Sequence, residues 1–189
     1  QEITDKVSSK VREQYEANPY PRWVKLTLNL SPKTVPQLVK HLDLRIFDNA
    51  TSNRPALNIL IAGCGTGQHS IEAASGFKDC SVFAVDLSLS SLAYAKRKTE
   101  ELGLKNIDYM QADILNLGKL GKKFDIIESA GVLHHMDDPM AGWKVLTDCL
   151  DSGGLMKIGL YSELARQHVV KMREEIHQSG IGSSDNAMK

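Results

Sequence analysis

The chain has 189 residues, enough for one domain whose core needs no disulfides or metals. Lys and Arg total 23, as do Asp and Glu, so no net field exists to hold a polyanion, and nucleic acid is disfavoured as a partner. No apolar run reaches the ~18 residues of a membrane span and QEITDKVSSK lacks a signal peptide's apolar region, so no membrane partner is expected.

In chain order, Ile3, Val7, Val11 and Tyr15 stand four apart and form one stripe of a helix over residues 1–17, which the two prolines of NPYPRW end. In VKLTLNL, Val24, Leu26, Leu28 and Leu30 alternate with polar residues, which predicts a half-buried strand. A short helix is expected over 35–42, and RIFDNATSNRPA forms the loop into the main body. Residues 1–55 thus read as an arm, 56–162 as the core, and 163–189 as a C-terminal helix and loose tail.

From Leu57 short apolar runs alternate with helical patterns, the form of an α/β, Rossmann-like, doubly wound and mostly parallel sheet. Strands are expected over 57–62, 81–86, 107–112, 124–129 and 154–161. Leu92, Ala95, Thr99 and Leu102 share a helix face with Gly103 at its stop, and Asp138-Pro139 opens a helix through Leu150. Ser162 is expected to cap a last helix whose Ala165, Val169, Met172 and Ile176 face inward. Cys64, Cys80 and Cys149 show no paired spacing, which suits reduced thiols in a cytoplasmic protein. The first residue is Gln rather than Met, so a segment of a longer protein is expected.

The stretch NILIAGCGTGQHS runs a strand into Gly63, Gly65 and Gly67 and then into a helix. Such a turn is expected to present unpaired N–H groups and a positive dipole end to an anionic or polar ligand. A dinucleotide fingerprint needs GxGxxG, and Gln68 stands where its third glycine belongs, which disfavours NAD. Asp86 closes the second strand, where a carboxylate accepts from both hydroxyls of a ribose. Asp113, in QADIL, sits at another carboxyl end, either to accept from an adenine amine or to cap a helix.

Together AGCGTG, VDLS, QADI, ESAGVLHHMDDP and SGGLM, in that order, resemble the class I S-adenosylmethionine-dependent methyltransferases. A narrower resemblance, to bacterial methyltransferase domains fused to tetratricopeptide repeats, rests on YEANPYPRW and LYSELARQHV. The resemblance implies S-adenosyl-L-methionine as cofactor and S-adenosyl-L-homocysteine as product. It sets Gly63, Cys64, Gly65 and Gly67 against the methionine part and the ribose, Asp86 on the ribose, and Asp113 on the adenine amine. It further implies that Leu87 and Ile114 wall the adenine and that Ser129 and Ala130 lie beside the methyl group.

His134 and His135 follow the fourth strand, and because adjacent residues seldom face one site together, His135 is the candidate general base. The competing reading is a histidine that packs or caps beneath the next helix. No third and fourth ligands stand at a spacing that suits a metal. NPYPRW reads either as a lid of Tyr20, Arg22 and Trp23 over the cofactor or as a rigid turn. The family's sheet has seven strands, and this sequence stops where the last two belong, so two expectations stand: a truncated sheet without those strands, or a sheet completed by another element, for which WVKLTLNL is the candidate edge strand. An uncovered fifth strand would invite pairing with a second chain. The expected reaction is methyl transfer to a small or medium-sized molecule, or to a protein. The alternatives are a cofactor-binding module without catalysis and an NAD-dependent dehydrogenase.

Overall fold

The structure is a computed structural model and describes residues 3–46, 51, 54–162 and 164–180. Five strands, β1 (Leu57–Ala62), β2 (Cys80–Asp86), β3 (Ile107–Gln111), β4 (Phe124–Ala130) and β5 (Leu150–Gly159), form one sheet in the order β3-β2-β1-β4-β5. Every neighbouring pair is parallel. Parallel neighbours need crossovers, supplied by α3 (Gln68–Gly76), α4 (Leu89–Glu101), a 3-10 turn over Ile114–Leu120, and α5 (Pro139–Cys149). The chain steps outward from β1 to β3 and then returns to β4 on the other side of β1. The switch point therefore lies between β1 and β4, the place where such sheets hold ligands.

Both faces of the sheet are covered, which is why β1 reads as a continuous apolar run from Ile59 to Ala62. On one face Ile59, Ile61, Val82, Ala84 and Ile126 pack with Ala73 and Ala74 of α3 and Leu92 of α4. On the other, Leu60, Ala62, Val85 and Ile127 pack with Leu117 and with Leu146 and Cys149 of α5. The helices start where side-chain oxygens meet their first N–H groups: Ser88 accepts from Ser91 at α4, and Asp138 from Met140 and Ala141 at α5.

The arm carries α1 (Lys6–Ala17), capped by Asp5, and α2 (Val35–His41), but residues 24–30 form no strand. Three contacts show why. Trp23 is tied to Thr66 ahead of α3, the Asn29 N–H meets Ser75 Oγ at 3.4 Å, and Lys33 bridges to Phe77. The segment thus follows α3 from end to end, half-burying Leu26 and Leu28 while Val24 and Leu30 stay exposed, and it never reaches a sheet edge. Among the described residues, nothing pairs with the outer side of β5.

Two further expectations change. β5 begins at Leu150, not 154, because α5 ends at Cys149 and the Ser152–Gly154 stretch is taken up as an irregularity inside the strand, between Phe124↔Leu150 and Ile126↔Leu155. Ser162 Oγ does accept from Ala165 N, but within a 3-10 turn over Leu164–Arg166. The last helix, α6 (Gln167–Gln178), starts after that turn. The described residues from Leu160 onward form a second unit, in which the Arg166 guanidinium lies 3.9 Å over the Tyr161 ring. Parts of the expected loop, residues 47–50, 52 and 53, lie outside the described residues, as does the expected tail from 181.

Candidate functional site

The carboxyl ends of β1 to β4 share one edge of the sheet. There β1 runs into a turn whose glycines have φ of +79° (Gly63), +53° (Gly65) and +86° (Gly67), a region that L side chains avoid. The chain itself fills the space that side chains would take. A Cβ on Gly63 would strike Val132, one on Gly65 the Tyr20 carbonyl, and one on Gly67 Ala95 and the Tyr109 hydroxyl.

The turn's donors are also spoken for, contrary to the expectation of unpaired N–H groups. Gly63 and Cys64 donate to Val85 O at 2.8 and 2.9 Å, Gly65 to Asp86 Oδ2 at 2.8 Å, Thr66 to Tyr20 O at 3.1 Å and Gly67 to Cys64 O at 3.0 Å. The N–H groups without an intrahelical acceptor are those of the first turn of α3, Gln68 to Ser70, ahead of the Ile71-to-Gly67 bond. Burial pushes the Cys64 thiol well up, with the Asp86 charge adding to it, so Cys64 is a buried thiol and not a thiolate.

Asp86 ends β2 with each carboxylate oxygen accepting one backbone bond, Oδ2 from Gly65 and Oδ1 from Ser88 at 2.9 Å. Leu87 follows, half-buried, and its carbonyl accepts from Gln111 Nε2 at 2.9 Å. Asp113 is 2% exposed and Ile114 is buried beside it. One Asp113 oxygen accepts from Leu115 N at 3.0 Å, and Oδ2 has no donor among the described residues. At the end of β4 the buried Ser129 hydroxyl donates to Ala62 O at 3.0 Å, and Ala130 is exposed. In the short 3-10 turn Leu133–His135 that follows, the His134 and His135 rings lie tilted against each other with centroids 4.3 Å apart, both half-buried.

The arm reaches this edge twice. Thr66 holds its second stretch, donating to Pro21 O at 2.6 Å and accepting from Trp23 Nε1 at 3.1 Å, while the Tyr94 hydroxyl donates to the Trp23 carbonyl. The Trp23 indole therefore sits edge-on to Tyr94 of α4, and Tyr20 and Arg22 are exposed. The last turn of α1 reaches it too: the Tyr15 hydroxyl lies 3.4 Å from His135 Nε2, and the Glu16 carboxylate accepts from Leu89 N and Ser90 N. Sequence reading passed over Tyr15, Glu16 and Thr66, because their partners are far along the chain and no local pattern marks them.

A further group was also missed. His69, in the first turn of α3, bonds the nearly buried Glu128 of β4, and Lys157 of β5 lies 3.3 Å from the same oxygen. Burial pushes the Glu128 carboxyl up, but the hydrogen bond and charge of His69, with Lys157, outweigh it and hold the carboxyl below its usual range. A carboxyl lowered by folding stabilises the fold at pH values above its unfolded value, and that stability is lost as pH falls through the lowered one. His69→Ala is expected to cost ~1.5–3 kcal/mol at pH 7. Lys157→Ala, on an exposed side chain, is expected to cost under ~1 kcal/mol. Urea denaturation measures both, and equal costs would show that His69 does not hold Glu128.

A protein-family model described as a methyltransferase domain matches residues 59–154. An uncharacterized protein of Synechococcus sp. is 34% identical over 119 residues, 62% of this chain and 28% of its own. Malonyl-[acyl-carrier protein] O-methyltransferase 1 of Ilyobacter polytropus is 28% identical over 140 residues, 74% of this chain and 50% of its own. This chain thus spans half or less of those relatives' lengths. The crystal structure of magnesium protoporphyrin IX methyltransferase from Synechocystis PCC 6803 with bound SAM shares the fold, at a TM-score of 0.56 and 24% identity over 80% of this chain and 75% of that one.

Proposed function

This chain belongs to the methyltransferase domain family, and from that premise we propose that it binds S-adenosylmethionine at the carboxyl ends of β1, β2 and β3 and transfers the methyl group to a small or medium-sized acceptor. The observation that carries the reading is the bare Asp113 Oδ2. A buried carboxylate oxygen without a donor costs roughly 1–3 kcal/mol, and an adenine amine arriving at this strand end supplies one. Asp86 fits the ribose in the same way: each of its oxygens holds one backbone N–H and keeps a lone pair for a hydroxyl.

The cofactor, when bound, supplies a methyl already activated on a sulfonium. What remains for the protein is to align the acceptor and take its proton. His135, beyond the end of β4, is the residue to which we assign that proton. Ser129 is committed to the Ala62 carbonyl, which suits it to shaping the floor beside the methyl group rather than to moving protons. The free thiols of Cys64, Cys80 and Cys149 support a reducing, cytoplasmic setting.

Ligand-dependent melting tests the cofactor. At ~100 times its dissociation constant, S-adenosylmethionine or its demethylated product is expected to stabilise the fold by ~2.7 kcal/mol. For a chain of this size that raises Tm by roughly 5–10 °C, and NAD leaves it unchanged. A shift with NAD alone would overturn the reading.

A further inference from the structure

We propose that Tyr15 is a positioning residue that orients the His135 imidazole, and that Glu16 is the latch that fixes Tyr15 in place; the role of His135 rests on the methyltransferase reading above. The Tyr15 hydroxyl is 3.4 Å from Nε2, and the two rings meet edge-on with centroids 6.1 Å apart. The residues are 120 positions apart, so only the docking of α1 brings them together.

That docking is built from polar contacts aimed at the site edge. The Ser88 hydroxyl donates to the Tyr15 carbonyl at 3.1 Å, and the Ser88 N–H donates to Asp86 Oδ1. Next to it, the Glu16 carboxylate accepts from Leu89 N at 2.6 Å, from Ser90 N at 2.9 Å and from the Ser90 hydroxyl. Leu89 and Ser90 are in the first turn of α4, whose N–H groups have no partner inside the helix. A carboxylate there makes charge-assisted bonds and meets the positive end of the helix dipole. The last turn of α1 is thereby fixed at the end of β2 while its tyrosine touches the turn after β4. It spans the carboxyl end of β1, which lies between those two strands in the sheet.

A hydroxyl on Nε2 fixes the ring plane and favours one tautomer, which is the condition for a histidine to present a chosen nitrogen to an acceptor. Glu16 acts through Tyr15: with the latch open, the hydroxyl leaves the imidazole.

The test uses the whole chain labelled with 15N-histidine, at a fixed pH where the rings are neutral. The wild type is expected to show His135 ring nitrogen shifts of a single tautomer. Tyr15→Phe keeps the aromatic ring and is expected to move those shifts away from the wild-type tautomer, with little change in Tm. Glu16→Ala is expected to give the same His135 spectrum and to make the amides of α1 exchange roughly 10- to 100-fold faster while those of β1 keep their protection. Unchanged His135 shifts in Tyr15→Phe would overturn the positioning role, and wild-type exchange in Glu16→Ala would overturn the latch. None of these readouts needs the cofactor, so a failure of the methyltransferase reading shows separately, as a missing melting shift with S-adenosylmethionine.

Discussion

Replacing Gly67 by alanine is expected to lower the stability of the ligand-free chain by ~2–5 kcal/mol. Part of the loss is conformational, because φ is +86° there and an L side chain in the left-handed region costs ~1–2 kcal/mol. The rest is steric. The new Cβ would meet the Cβ and Cα of Ala95 and, at 3.0 Å, the Tyr109 hydroxyl. Ala95 is fully buried in α4, so its backbone cannot swing aside. Tyr109 is no freer: its hydroxyl pairs with Thr99 at 2.9 Å, and burial pushes its phenol up to about 12. Overpacking of this kind costs ~1–3 kcal/mol. Gly121 is the control, with φ at +61° and nothing within 4 Å of an added Cβ, so Gly121→Ala bears the conformational cost alone. Thermal and urea unfolding of the two variants measure the difference. Equal losses would mean that α4 yields and that Gly67 is needed only for its backbone.

How much of this could be read in advance depends on whether the information is local. β1 coincides with its expected span because a strand covered on both faces is apolar over Ile59 to Ala62 and Gly63 ends it. The α4 face was equally legible, since Leu92, Ala95 and Thr99 are all buried at helical spacing. Alternation misled at residues 24–30, where it reports that one side is half-covered but not by what, and the cover is α3 and not a neighbouring strand. The three glycines announced that a side chain is not tolerated. Only the fold tells that Val132, Tyr20 and Ala95 occupy the space. The same limit hid Glu16 and Tyr15, which look like two more residues of an amphipathic helix until α1 is laid against α4.

Asp86→Ala is expected to weaken S-adenosylmethionine binding roughly 10- to 100-fold, and to change how the remaining affinity responds to acid. The carboxylate makes two backbone bonds, from Gly65 in the glycine turn and from Ser88 ahead of α4, so it joins the two segments that would enclose the ribose. Its removal strands both N–H groups as well as the ribose hydroxyls. Burial pushes the Asp86 carboxyl above the usual aspartate value, with the bonds from Ser88 and Gly65 opposing this and the Glu16 charge adding to it. Hydroxyls arriving from a ribose favour the charged form, so the bound complex holds this proton less tightly than the free chain does. Affinity is therefore full above the free chain's raised value and declines as pH falls through it, starting above the ~3.9 of an ordinary aspartate. The alanine variant has no such carboxyl and is expected to lack that acid limb. Calorimetric titration at neutral pH and at successively lower pH, within the range where circular dichroism shows both proteins folded, reads the two effects together. If Asp86→Ala binds as the wild type does and declines with acid along the same curve, the ribose is held by another group, and the carboxyl end of β2 is not where the cofactor lies.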